Sequence, residues 1–242
     1  MAAPLRHPPI REAICEVSFD EDEWTSTTVE DLVHAFAADY PVAPSTAPQT
    51  VEGPAAPHAS RVHAVAGSRL ALRNQQGDRV VTFARGVLGV HAVGSYPGWE
   101  VFQQRIEHAL LDHRRVRHPR KIRQLAVRAV NQIELPDHDA DLSRWFRRAP
   151  TPVASLGHPV LFSHREVFRC PDGSWLILNL ATPDIDGARN RTIALDLNVV
   201  AAEDELEWND IPARLTALHE QASTAFLASI TDALKARFDA YP

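Results

Sequence analysis

The stretch Lys121–Leu135, KIRQLAVRAVNQIEL, lies near the midpoint of the 242-residue chain and constrains its fold most. From Leu125 onward, Leu125, Val127, Ala129, Asn131 and Ile133 point one way, and Ala126, Arg128, Val130, Gln132 and Glu134 point the other. A period of two over this length specifies a strand, and its mostly apolar face must be covered by helices while the other stays partly solvated. Two residues stand out. Asn131 sits on the apolar face, where an amide needs partners, and Arg128 presents a guanidinium to an anion or a carboxylate.

The elements before this strand resemble those after it. In the first half, Ile10–Phe19 reads as a strand and Asp20–Glu23 as an acidic turn. Thr27-x-x-Glu30 has the form of a capping box, opening a helix that ends before Pro41. The proline-rich segment 41–60 is expected to be a flexible loop. Short strands are expected over Arg61–Val65, Arg69–Arg73, Arg79–Phe83 and Gly86–Val93, with a turn at Gln76-Gly77-Asp78. Pro97 then opens a helix with the stripe Trp99, Phe102, Ile106, Ala109 and Leu110.

In the second half, Asp139–Arg148 is expected to be a short helix. Strands are expected over Glu166–Arg169, Ser174–Leu180 and Thr192–Val200, with a turn at Asp184–Asn190. Asp210 is placed to cap a final helix whose stripe runs Ile211, Leu215, Leu218, Ala222, Phe226, Ile230 and Leu234. The expectation is an α+β fold: antiparallel sheets, or one continuous sheet, with the long helices on one face. It divides into halves 1–118 and 119–242 that form one compact unit with the pattern of an internal duplication.

The motifs PPIREAICEVSF, SYPGWEVFQQRI, VRAVNQI, ALDLNV and LHEQASTAFLASIT follow one another across nearly the whole chain. In that order they resemble a sporadically distributed bacterial family of conserved proteins of unknown function and about the same length. The resemblance departs at Ala129, where the family has an aromatic residue, and at Gln132, where it has a basic one. It implies an accessory role, as in defence or specialised metabolism, and no specific activity.

Function classes narrow by what is present. The net charge of −6 argues against wholesale nucleic-acid binding. No apolar run approaches the roughly 20 residues that cross a bilayer, and MAAPLRHPPIREA has no secretory core. Cys15 and Cys170 form no CxxC, so the expectation is a reduced, cytoplasmic protein with no cofactor and no metal. The scarcity of lysine (Lys121 and Lys235 alone) and the abundance of alanine match a GC-rich bacterial genome. There is no GxGxxG after a strand, no Walker motif, no HExxH and no GxSxG. His138 among Asp137, Asp139 and Asp141 is the one local cluster of ligand types.

The leading expectation is therefore a non-enzymatic protein that binds a partner protein or small ligand, homo-oligomerisation being left open. A cofactor-independent lyase or cyclase with a pocket between sheet and helices is the first alternative; its catalytic residues are not specified by the sequence. A nucleic-acid-associated factor using Arg114, Arg115, Arg117, Arg120 and Lys121 is the second. The candidate ligand set is Arg128, Asn131, Asp196 and His219, with Asp196 orienting the His219 ring and Arg128 holding an anionic group. The competing structural reading pairs Arg128 with Asp196.

Overall fold

A computed structural model of the chain describes residues 8–20, 24–45, 69–118, 121–136, 141–150, 155, 161–183, 191–203 and 206–240. They form an α+β protein. The strands among the described residues are β1 (Ile10–Phe19), β2 (Val42–Ser45), β3 (Leu70–Arg73), β4 (Arg79–Ala84), β5 (Val87–Val93), β6 (Ile122–Leu135), β7 (Ser163–Arg169), β8 (Trp175–Ala181) and β9 (Arg191–Ala202). The helices are α1 (Ser26–Phe36), α2 (Trp99–Arg117), α3 (Ile211–Ser229) and α4 (Asp232–Ala240).

All strands join one antiparallel sheet, ordered β2-β3-β4-β5-β1-β6-β9-β8-β7. The sheet is continuous across the middle of the chain because β1 pairs with β6. Outward from the centre the first half winds β1-β5-β4-β3-β2 and the second β6-β9-β8-β7, so each half's last strand lies beside its first.

One face of the sheet is packed against helices. Cys15, Val17, Leu125, Val127 and Val199 share a core with Leu32 and Phe36 of α1, Phe102 and Ile106 of α2, and Leu215 and Leu218 of α3. A second core joins Ile133 and Leu195 to Trp145, Phe146, Phe226 and Leu234. The alternation along β6 puts Leu125, Val127 and Ile133 into these cores, and burial of such side chains at about 25 cal/mol per Å² drives the packing.

Several local expectations need correction. The capping box is Thr25 with Thr28, not Thr27 with Glu30: Thr25 Oγ1 accepts from Thr28 N at 3.2 Å, and the Thr28 side chain answers the Thr25 backbone. Segment 41–60 is not loop throughout, since β2 pairs with β3 as the outermost strand, where Pro44 needs no ladder donor. Residues 46–60, the expected strand Arg61–Val65 and the turn Asp184–Asn190 lie outside the described residues. In place of a helix over Asp139–Arg148, residues 141–148 contain one 3-10 turn, Leu142–Arg144, capped by Asp141; residues 137–140 are not described.

The final helix is broken. Ile230 is extended (φ −102°, ψ 155°) and bridges to Phe146, while Arg147 N donates to Ser229 O and Thr231 N to Trp145 O. These tertiary bonds satisfy the ends of α3, and the apolar stripe resumes in α4 at Leu234. Asp210 makes no side-chain cap; it ends the 3-10 turn Trp208–Asp210 that leads into α3.

Candidate functional site

The other face of the central strands carries no described helix, and the register collects polar side chains there. Glu12 and Glu16 of β1, Thr82 of β4, His91 of β5, Arg128 of β6, and Asp196 and Asn198 of β9 all alternate away from the core residues between them. Arg128 opposes Asn198 and reaches diagonally to Asp196. Nε meets Oδ1 at 2.8 Å and Nη2 meets Oδ2 at 2.7 Å, a two-pronged contact that holds the guanidinium plane. The Arg128 side chain is 38% exposed and that of Asp196 14%. Burial alone would lower the Arg128 pKa; the hydrogen bonds and charge of Asp196, with Glu12 and Glu16 behind them, raise it above its ordinary value.

Beside this pair lies a relay. Glu12 is 3% exposed. Its Oε1 lies 2.9 Å from His91 Nδ1, and His91 Nε2 lies 3.2 Å from Thr82 Oγ1. A carboxylate only accepts, so Nδ1 carries a proton toward Glu12; in the neutral form of the ring this leaves the Nε2 lone pair to accept from the Thr82 hydroxyl. Gly89 makes the relay fit. It faces Thr82 on one side and Glu16 on the other, and a Cβ there would overlap Thr82 Oγ1 and lie 3.0 Å from His91 Nε2. Arg69 pairs with Glu16 at 3.3 Å. Two acceptors on this face, Glu12 Oε2 and Asn198 Oδ1, are buried without a hydrogen-bond partner.

The four residues singled out in the sequence do not gather at one place. Arg128 and Asp196 meet on the face without a described helix. Asn131, 2% exposed, faces the helices, and its Nδ2 donates to Leu195 O at 3.0 Å and to Ala129 O at 3.3 Å. His219 lies on α3, its ring stacked on Trp99 of α2 with centroids 4.0 Å apart and planes within 2°. Burial pushes its pKa down to about 4. The carboxylate of Asp196 therefore orients Arg128 and not His219.

Of the basic run, Arg114 stacks over Trp208 at 4.6 Å, Arg115 pairs with Asp112 at 3.0 Å, and Arg117 donates to Thr28 Oγ1 at 2.9 Å. These three belong to the last turn of α2. Lys121 is exposed at the start of the central strand, while Arg120 and the His138 cluster lie outside the described residues. His113, in the same turn region, is buried and stacked on Phe19 at 4.7 Å; burial, then the charge of Arg117, holds its pKa near 4. The Cys15 thiol faces the core, and burial, with the Glu16 charge adding to it, pushes its pKa far up, which removes the nucleophilic thiolate.

Sequence reasoning missed Glu12, Thr82 and His91. The signal was the tight β4–β5 connection at Arg85-Gly86, which makes Ala84 oppose Val87 and so sets Thr82 against Gly89, with His91 on the diagonal. A glycine inside a strand, flanked by two polar residues of one face, marks a close approach.

Two clefts adjoin the sheet. One of 580 Å³ opens where β1 begins, between Ile10, Arg11, Gln132, Glu134 and Arg237 of α4; the Arg237 guanidinium lies over the Trp145 ring, and one of its nitrogens is buried without a hydrogen-bond partner. Gln132 and Glu134 continue the Arg128 row of β6 into it. The second, of 360 Å³, lies between the end of α1 and α2, lined by Tyr40, Arg79 and His108. Neither lies between the sheet and the long helices. Among the described residues no helix is long and apolar enough to cross a membrane. No protein-family model matches the chain, and no curated protein matches it.

Proposed function

We propose that the chain is a cytoplasmic bacterial accessory protein that acts by binding, with the face of its central strands that carries no described helix as the recognition surface. Arg128 is the anchor for a carbonyl or carboxylate of a small ligand or of a partner protein. The observation that carries this reading is the state of Arg128: two nitrogens are committed to Asp196, so the group is already oriented, and the side chain still reaches solvent. A donor held in place before binding loses less entropy when it binds. Trp175, 45% exposed, and Val167, 53% exposed, stand on the same face toward its outer edge, the residue types that centre protein contacts. The shared winding of the two halves supports reading them as two copies of one unit, joined at β1–β6. Nucleic-acid binding is the weaker reading because Arg114, Arg115 and Arg117 are engaged within the fold.

The test is capture of wild type and Arg128→Gln from native cells, followed by native mass spectrometry of what co-elutes. A hydrogen bond to a charged group contributes about 1.5–3 kcal/mol, so the variant should lose roughly 10-fold to 150-fold in affinity for the retained species. Equal retention by both proteins excludes Arg128 as the anchor. A retained protein and a retained metabolite distinguish the two kinds of ligand.

A further inference from the structure

We propose that Thr82 is a nucleophile for acyl groups, activated by His91 as general base with Glu12 as the positioning residue. The proposal stands apart from the binding reading, since it uses strands β1, β4 and β5 rather than Arg128. Four observations carry it. The order of contacts is carboxylate to Nδ1 and hydroxyl to Nε2, at 2.9 and 3.2 Å, which is the arrangement that withdraws a proton from a hydroxyl. The acid is buried and the hydroxyl only half-buried, so the relay is fixed at its inner end and reachable at its outer one. The absence of a side chain at Gly89 lets Oγ1 and Nε2 meet above its backbone, where a Cβ would overlap Oγ1. Arg69, on the same side of β3 as Ala71 and hence as Thr82, crosses toward Glu16, which faces Gly89. Its guanidinium, 35% exposed, is the cation nearest in the sheet to a negative charge developing on a carbonyl oxygen beside Thr82.

The substrate class is a carboxylic ester. The Thr82 oxygen forms a bond to the acyl carbon while its proton passes to His91 Nε2. The ester C–O bond then breaks, and the departing oxygen takes that proton. Water next gives a proton to Nε2 and its oxygen to the acyl carbon. Thr82 leaves with the proton returned, and the carboxylic acid is released. Ile14 and Val80 oppose His91 on the two neighbouring strands, so the imidazole is flanked by apolar side chains.

The probe is p-nitrophenyl acetate with the full chain, reading p-nitrophenol release and the position of acetyl groups by tandem mass spectrometry. Wild type should carry acetyl on Thr82. Thr82→Val, nearly isosteric, and His91→Gln should each slow release by at least about 100-fold, the lower bound for a general base. Thr82→Ser should retain the reaction. Glu12→Gln should lower the rate at saturating ester with KM unchanged, which a purely structural role would not do. Melting curves by circular dichroism accompany each variant; Thr82→Ser and Glu12→Gln keep the test decisive if the others unfold. Acetylation confined to other residues, or variant rates equal to wild type, overturns the proposal.

Discussion

The two faces of the central sheet use their polar side chains differently. On the covered face Asn131 gives its amide hydrogens to the backbone carbonyls of Ala129 and Leu195, and His219 stacks flat on Trp99. These groups complete the fold. On the face without a described helix Arg128 binds Asp196, His91 bridges Glu12 to Thr82, and Glu12 Oε2 and Asn198 Oδ1 have no hydrogen-bond partner. Buried polar atoms without a hydrogen-bond partner occur on both sides, Trp99 Nε1, His113 Nδ1 and Trp145 Nε1 lying on the helix side, and each costs about 1–3 kcal/mol. Arg128 and Asn131, three apart on β6, thus have different roles according to which face they point from.

The largest expected effect lies on the covered face. Leu125→Ala removes a fully buried side chain shared by the helices and the sheet and should cost about 2–5 kcal/mol by denaturant unfolding. A loss below that of a surface substitution would mean that the helices do not pack there. Asn131→Ala comes next, at about 1–3 kcal/mol, because it strips donors from buried carbonyls without restoring water.

The next test uses pH. His113 and His219 have pKa values lowered to about 4 from an ordinary 6.5, so the unfolded chain takes up protons first as pH falls. Their contribution is complete above about 6.5 and is lost progressively as pH drops toward 4. Melting temperature should fall across that window, and His219→Gln should flatten part of the slope. A slope unchanged in both His219→Gln and His113→Phe would contradict the burial argument. Smallest is Arg128→Gln, whose half-exposed ion pair contributes at most about 1 kcal/mol to stability once solvent screening is counted.

Much of this contrast was legible in the sequence. The alternation along β6 sorted Arg128 and Asn131 onto the right faces, and the stripe Trp99–Leu110 located α2. Local patterns carried those features because strand and helix periods are local. The break at Ile230 was not legible: the stripe continues through it to Leu234, and only the bridge to Phe146, far away in sequence, stops the helix. The same limit hid the partners. Strand alternation placed Asp196, but its choice of Arg128 over His219 depends on β6 pairing with β9 and on α3 lying across the opposite face. The Thr25 cap was missed by two residues because two overlapping threonine patterns compete, and the buried Thr28 decides between them.

The most direct test pairs Arg128→Gln with Asn131→Ala, measuring melting temperature and retention of the natively co-eluting species on the same preparations. The account predicts that Arg128→Gln melts within about a degree or two of wild type and loses the species. It predicts that Asn131→Ala melts several degrees lower and, at temperatures where it is folded, keeps the species. If Arg128→Gln instead lowers the melting point as much as Asn131→Ala and retains the species, the two faces do not differ in the way described.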